Sequence, residues 1–270
     1  MPELPEVETI RRGLDRRLRG ARIVRVEVRE PRLRRVVDEA ALRSLRGRLI
    51  AGVERRAKYL LADVGDGLVW LMHLGMSGRV LLLPRDAPVG AHEHVRVEFD
   101  TGWILAYRDP RRFGWMRVAP LNGLEEIANL GPEPLNGDFG AATLRVRLRG
   151  TKRDVKAALL DQRVVAGIGN IYANEILFRA RVRPTRRCHR LTERDLAAIA
   201  RATQAVLSDA VQRRGTSFSD YFDSDGIPGS FQAVLAVFDR AGKPCRRCRG
   251  PIKRRAHGGR SSFYCPVCQR

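Results

Sequence analysis

Apolar residues recur at Val7, Ile10, Leu14 and Leu18, the three-and-four spacing of one helical face, and the flanking residues agree with a helix. Pro5 suits a first helical position, where a missing N–H costs nothing, and Glu6 and Glu8 favour the positive end of the helix dipole. Arginines crowd the last turn, and Gly20 supplies a stop. From residue 21 to about 118 the period changes to two. "RIVRVEVR" and "HVRVEF" alternate, "LVWLMHL" and "RVLLL" are short apolar runs, and "GDG" and "DTGW" have turn chemistry. This half reads as an antiparallel β-sandwich or barrel preceded by one helix.

A stretch rich in Pro, Gly and Asn follows, and its second half, residues 131–140, reads as an interdomain linker. Helical spacing then returns over 152–165 and 171–180. Thr192-Glu193-Arg194-Asp195 has the pattern of a capping box and opens a long helix to about residue 214. Next comes "GTSFSDYFDSDGIPGSFQ", a long loop of a kind that is usually functional or disordered. The expected fold class is therefore multidomain α+β. Its parts are an N-terminal helix and antiparallel sandwich (1–130), the linker, a helical domain (141–238) that includes the loop 215–232, and a cysteine-rich tail (239–270).

Charge narrows the partners. The formal net charge is +21 and the pI about 11.2, spread over the whole chain. With 44% hydrophobic residues, a disordered basic chain is a poor explanation. A polyanion is the expected partner, with nucleic acid first and an anionic membrane surface second. No apolar run is long enough to span a bilayer, and the acidic, proline-broken N-terminus lacks the plan of a secretion signal, so a soluble, unexported chain is expected. Against 46 arginines stand 5 lysines: Lys58, Lys152, Lys156, Lys243 and Lys253. Where arginine is the default cation, a lysine marks a position that needs an amine able to lose a proton.

The tail carries Cys245, Cys248, Cys265 and Cys268, two Cys-x-x-Cys knuckles separated by sixteen residues. That spacing fits one tetrahedral zinc held by four thiolates, a structural site because no coordination position stays open. Lys253, Arg254, Arg255, His257 and Arg260 lie between the knuckles, with Gly258-Gly259 as a hairpin turn. Cys188 reads as an ordinary free thiol.

Five motifs in order, "PELPEVET", "LMHLGMSG", "DPRRFG", "GIGNIYANE" and the four-cysteine finger, resemble the bacterial formamidopyrimidine-DNA glycosylase family over essentially the whole chain. Leu4 favours this branch over the related endonuclease VIII branch, which has glycine there. The resemblance implies a bifunctional glycosylase and AP lyase that removes oxidised purines such as 8-oxoguanine and formamidopyrimidines and cuts by β,δ-elimination. The partner it implies is double-stranded DNA containing oxidised bases or abasic sites, met by a monomer in the bacterial cytoplasm at the nucleoid, with no membrane involved. Loss of Met1 would expose the amine of Pro2 as the nucleophile. A generic α-amine has a pKa of about 7.7–8.0 against about 10.4 for lysine, so more of it is unprotonated at neutral pH.

By the same resemblance, Glu3 protonates the sugar ring oxygen, Glu6 lies near the site, Lys58 serves β-elimination and Arg260 serves δ-elimination. Met76, Arg111 and Phe113 fill the gap left by the extruded nucleotide, Arg111 facing the orphaned cytosine. His92, Lys152, Lys156 and Asn170 contact DNA, the last within a helix-two-turns-helix element, while His73 reads as structural. The 215–232 loop becomes a lid in which Ser217 reads the base. Ala57 stands where the family pattern has glycine, and Thr151 where it has lysine. Two alternatives stay open: a glycosylase for oxidised pyrimidines, and a catalytically dead binder of damaged DNA.

Overall fold

The structure, a computed structural model, describes residues 2–217, 223–257 and 259–270. Part of the predicted lid and Gly258 of the predicted hairpin turn lie outside the described residues. Contacts divide the chain into two compact units, one of residues 1–128 with 213–230 and one of 129–212 with 231–270. The loop that the sequence attaches to the helical domain thus packs with the N-terminal unit, because its two stems are bonded to the first helix and to the sandwich. Among the described residues, no helix is long and apolar enough to cross a membrane.

In the first unit, helix α1 (Leu4–Leu18) precedes eight strands. These are β1 (Ile23–Val28), β2 (Gly52–Arg56), β3 (Tyr59–Asp63), β4 (Leu68–His73), β5 (Arg79–Pro84), β6 (Glu93–Phe99), β7 (Trp103–Arg108) and β8 (Trp115–Pro120). They form two four-stranded antiparallel sheets, ordered β1-β6-β7-β5 and β2-β3-β4-β8. One apolar cluster joins α1 (Val7, Ile10, Leu14, Leu18) to inward residues of both sheets, among them Val97, Leu105 and Tyr107 from one and Leu60, Trp70 and Met72 from the other.

The unbroken run in β4 has a simple cause. Trp70 and Met72 face this core, whereas Val69 and Leu71 face a second cluster with Trp115 and Leu124, so both sides of the strand are covered. The short helices α2 (Glu39–Arg43) and α3 (Glu125–Ala128) were not signalled by periodicity, being too short to show a face. Pro5 takes the second helical position rather than the first, since Glu3 is the N-cap.

The second unit holds α4 (Ala141–Leu148), α5 (Val155–Leu159), α6 (Asn170–Arg179), α7 (Glu193–Gln212) and the hairpin β9 (Lys253–His257) and β10 (Arg260–Tyr264). The Thr192 cap is present: its hydroxyl accepts the Asp195 N–H at 3.2 Å, and the Asp195 carboxylate accepts the Thr192 N–H at 2.8 Å. The helix expected over 152–165 shrinks to the five residues of α5. Side chains beyond it bond to the local backbone instead: Asp161 accepts the Arg163 N–H, and Gln162 donates to the carbonyls of Leu160 and Ile168 and accepts the Gly167 N–H.

The two-residue connection between β2 and β3 carries the departure from the family pattern. Ala57 is fully buried at φ +53°, a left-handed conformation that glycine adopts freely. Ala57→Gly is expected to stay within about 1 kcal/mol of wild type, because relief of strain opposes a lost buried methyl and a freer unfolded chain. Ala57→Val is expected to cost at least about 2 kcal/mol, by urea unfolding midpoints.

Candidate active site and nucleic-acid interface

Pro2 and Glu3 are buried immediately before α1, with Glu3 2% exposed. Glu6, one turn on, clamps this entry. Its Oε2 accepts the N–H of Glu3 at 2.8 Å, and its Oε1 accepts the N–H of Thr216 at 2.7 Å. Gly215 lies so close that a Cβ there would meet Glu6 Oε1 at 2.6 Å, and its φ of +82° adds a second reason for glycine. Ser217 Oγ accepts the N–H of Gly229 at 2.9 Å, which ties the two stems of the loop together.

Further along α1, Glu8 accepts from Arg55 at 3.1 Å and Arg55 donates to the carbonyl of Ala57 at 3.0 Å. This chain of contacts fixes the turn that presents Lys58, which is 7% exposed and so differs from an ordinary solvated lysine. Sequence reading gave Glu8 only a helix-dipole role and passed over Arg55, whose charge resembles the many exposed ones around it.

His73 is packed against Tyr59 and Trp115, with ring centroids 5.0 and 5.9 Å away, and its Nδ1 accepts the N–H of Gly75 at 3.1 Å. Burial, helped by the nearby charge of Lys58, pulls its pKa down to about 4, so the ring is neutral. Met76 and Phe113 are 44% and 38% exposed at loop tips. The guanidinium of the exposed Arg111 lies 4.5 Å over the Phe113 ring. His92 is also exposed, at φ +57°.

In the second unit, Asn170 opens α6 behind Gly169, and its side-chain oxygen is buried without a hydrogen-bond partner. The backbone N–H groups and positive dipole end there suit an anion. Lys156 is 5% exposed and donates from Nζ to Ser261 O at 2.7 Å and Ser262 Oγ at 2.9 Å, so it props up the hairpin. Arg260, at the exposed start of β10, shares with Lys156 and Arg153 the lining of a cavity of about 420 Å³. Lys152 is exposed.

The motif "GIGNIYANE" also contains two anchors missed in sequence. Asn174 accepts the Phe263 N–H at 2.8 Å, and Glu175 accepts three backbone N–H groups, from Ala236, Val237 and Phe238, at 2.8–2.9 Å. Burial pushes the Glu175 pKa up even so. The signal was available, since polar residues stand on an otherwise apolar helix face.

The sulfur atoms of Cys245, Cys248, Cys265 and Cys268 all lie within 4.8 Å of one another. A tetrahedron with Zn–S bonds of about 2.3 Å has edges of about 3.8 Å, and the sulfur–sulfur approaches of 3.9 Å (Cys245–Cys268) and 3.4 Å (Cys248–Cys265) fit it. In each knuckle a backbone N–H points at sulfur, from Arg247 to Cys245 and from Cys268 to Cys265, as thiolates require. The donor set holds one structural zinc. Cys188, buried and pushed up to about 11, is an inert thiol.

Comparison with known proteins places this geometry. Residues 1–116 match the formamidopyrimidine-DNA glycosylase N-terminal domain, residues 130–221 its H2TH domain, and residues 242–270 the zinc finger found in Fpg and IleRS. The formamidopyrimidine-DNA glycosylase of Thiobacillus denitrificans is 47% identical over 273 residues, covering 100% of both chains. The chain belongs to the formamidopyrimidine-DNA glycosylase family.

Among solved structures, the MutM (Fpg) protein of Thermus thermophilus is 40% identical with a TM-score of 0.89, covering 99% of this chain and 98% of that one. A complex of Lactococcus lactis Fpg with DNA containing an abasic site has a TM-score of 0.92 at 34% identity, covering 99% of each chain.

Two outcomes are expected. The pKa of His73 is about 4 folded against about 6.5 unfolded, so its contribution is complete above pH 6.5 and is lost as pH falls toward 4, by up to about 3 kcal/mol. The difference in unfolding free energy between wild type and His73→Phe measured across that window reports it. Chelation is expected to release one zinc per chain and to weaken duplex binding by at least about tenfold, while far-UV circular dichroism of the sandwich persists.

Proposed function

We propose that this chain is a base-excision DNA glycosylase and AP lyase for oxidised purines that works through the Pro2 amine. The carrying observation is the placement of Pro2 and Glu3 together, buried at the head of a 15-residue helix. Once Met1 is removed, the Pro2 nitrogen is a secondary amine close to the positive end of the dipole. That end disfavours a second positive charge and keeps the lone pair available.

The amine attacks sugar C1′, the glycosidic bond breaks, and the base departs with its electron pair and takes up a proton. Glu3 delivers a proton to the ring oxygen as the C1′–O bond opens, leaving an iminium. A secondary amine gives an iminium without an N–H to lose, so the cation persists and acidifies the C2′–H. Loss of that proton expels the 3′-phosphate in β-elimination, with Lys58 beside the site. Arg260 then assists loss of the 5′-phosphate in δ-elimination.

Double-stranded DNA carrying oxidised bases or abasic sites is the partner, met by a monomer in the bacterial cytoplasm. Met76 and Phe113 wedge the stack, Arg111 reads the opposite cytosine, and Ser217 reads the extruded base. His92, Lys152 and Asn170 hold phosphates, and Lys156 supports the hairpin that presents Arg260. These contacts carry the sequence-independent share of the affinity.

The test is intact mass followed by borohydride trapping on an 8-oxoguanine·cytosine duplex. Wild type lacking Met1 is expected to trap covalently and to cut. Pro2→Gly, whose imine must be protonated before it can act as a sink, is expected to trap at least about tenfold more slowly. Mature wild type that binds the duplex but neither traps nor cuts overturns the catalytic reading.

A further inference from the structure

Asp109 is 0% exposed, and none of the steps above uses it. It stands where β7 ends and the loop bearing Arg111 and Phe113 begins. Its Oδ1 accepts from Ser77 Oγ at 2.6 Å, reaching into the neighbouring loop that carries Met76. Its Oδ2 accepts the N–H of Gly114 at 2.7 Å and the hydroxyl of Tyr107 at 3.4 Å.

The backbone of Asp109 is engaged as well. Its N–H donates to His92 O at 3.0 Å, and its carbonyl accepts the Arg112 N–H at 3.1 Å and lies 2.8 Å from His94 Nε2. The two loops also touch backbone to backbone. A Cβ on Gly75 would lie 2.3 Å from the Phe113 carbonyl carbon, and one on Gly114 would lie 3.1 Å from the Leu74 carbonyl carbon.

We propose that Asp109 is a positioning residue whose carboxylate locks the 74–78 and 109–114 loops into one rigid unit, so that Met76, Arg111 and Phe113 enter DNA in fixed register. This rests on the wedge reading of those three residues. The physical basis is the position of the acceptor. One carboxyl group bonds donors from both loops at once, and removing it leaves the Gly114 N–H and the Ser77 hydroxyl buried without partners. Loops freed from each other lose the relative placement of their tips, and displacement of a positioning group by about 1 Å is enough to slow a reaction markedly.

The signature is selective. Excision of a base from duplex requires extrusion, whereas an abasic site has no base to extrude. Asp109→Ala is expected to slow 8-oxoguanine excision by about tenfold or more, and Ser77→Ala by severalfold, with abasic-site incision kept within about threefold of wild type. Discrimination between cytosine and adenine opposite the lesion narrows in both. Asp109→Asn recovers part of the rate, because it keeps an acceptor for Gly114 while the Ser77 hydroxyl turns to accept.

Equal losses on the two substrates, or no loss in either variant, overturn the proposal. If Asp109→Ala does not fold, Ser77→Ala alone decides by the same ratio. Arg111→Ala and Phe113→Ala belong in the same assay. If they show no selective loss, the wedge reading itself fails; if they show it while the Asp109 and Ser77 variants do not, the positioning role alone fails.

Discussion

The burial of one face of α1 against the sandwich is the constraint on which the first unit depends. Val7, Ile10, Leu14 and Leu18 are each at most 2% exposed. At about 1.5–3 kcal/mol per large apolar side chain, that stripe is comparable to the net stability of a whole domain, as an upper bound. With the axis fixed, the polar positions of the same helix become fixed points. Glu6 binds the N–H of Glu3 and the loop stem at Thr216, Glu8 reaches the Lys58 turn through Arg55, and Asp15 accepts the Val53 N–H at 2.8 Å. Gly13 admits Ser224 so closely that a Cβ would meet its Oγ at 1.9 Å, and Asp225 pairs with Arg16 and Arg17. The Pro2–Glu3 entry, the Lys58 turn and the loop stem at Thr216 are thereby referred to a single rigid rod.

The second unit solves a different problem. A hairpin and two knuckles bury too little to fold alone, so zinc and the parent helices supply the order. Asn174 of α6, Lys156 of α5 and Gln269 reach the finger's backbone with side chains, Glu175 holds the segment 236–238 that leads into it, and Gln269 accepts the Cys265 N–H and donates to Val182 O, both at 2.9 Å. Buried polar groups with all partners in place set orientation as well as stability. Arg260 is thus held by contacts that lie away from its own exposed side chain.

The arginine excess plays a third part. Many arginines pair with nearby carboxylates at the surface, as Arg32 does with Glu30 and Arg163 with Asp161, and such exposed pairs add little stability. The surplus of +21 acts at longer range, drawing the protein to a polyanion before any specific contact forms.

The sequence alone determined the chemistry and the class of architecture. Periodicity marked α1, the strands, α6 and α7 because burial of one face imposes a repeat that survives in the residue order. Cysteine spacing marked zinc because four thiolates around one ion restrict the intervening chain. The resemblance marked the family through short motifs. What only the tertiary structure decided depends on distant partners. The 213–230 segment belongs with the N-terminal unit because its hydrogen bonds go to Glu6 and Leu82 and Ser224 packs against Gly13, all far away in the chain. The helix after residue 152 stops early because side chains capture its backbone, and Lys156 faces the hairpin rather than solvent. The carboxylates of Glu8, Asp109 and Glu175 look alike in sequence, and burial among particular donors gives each its task.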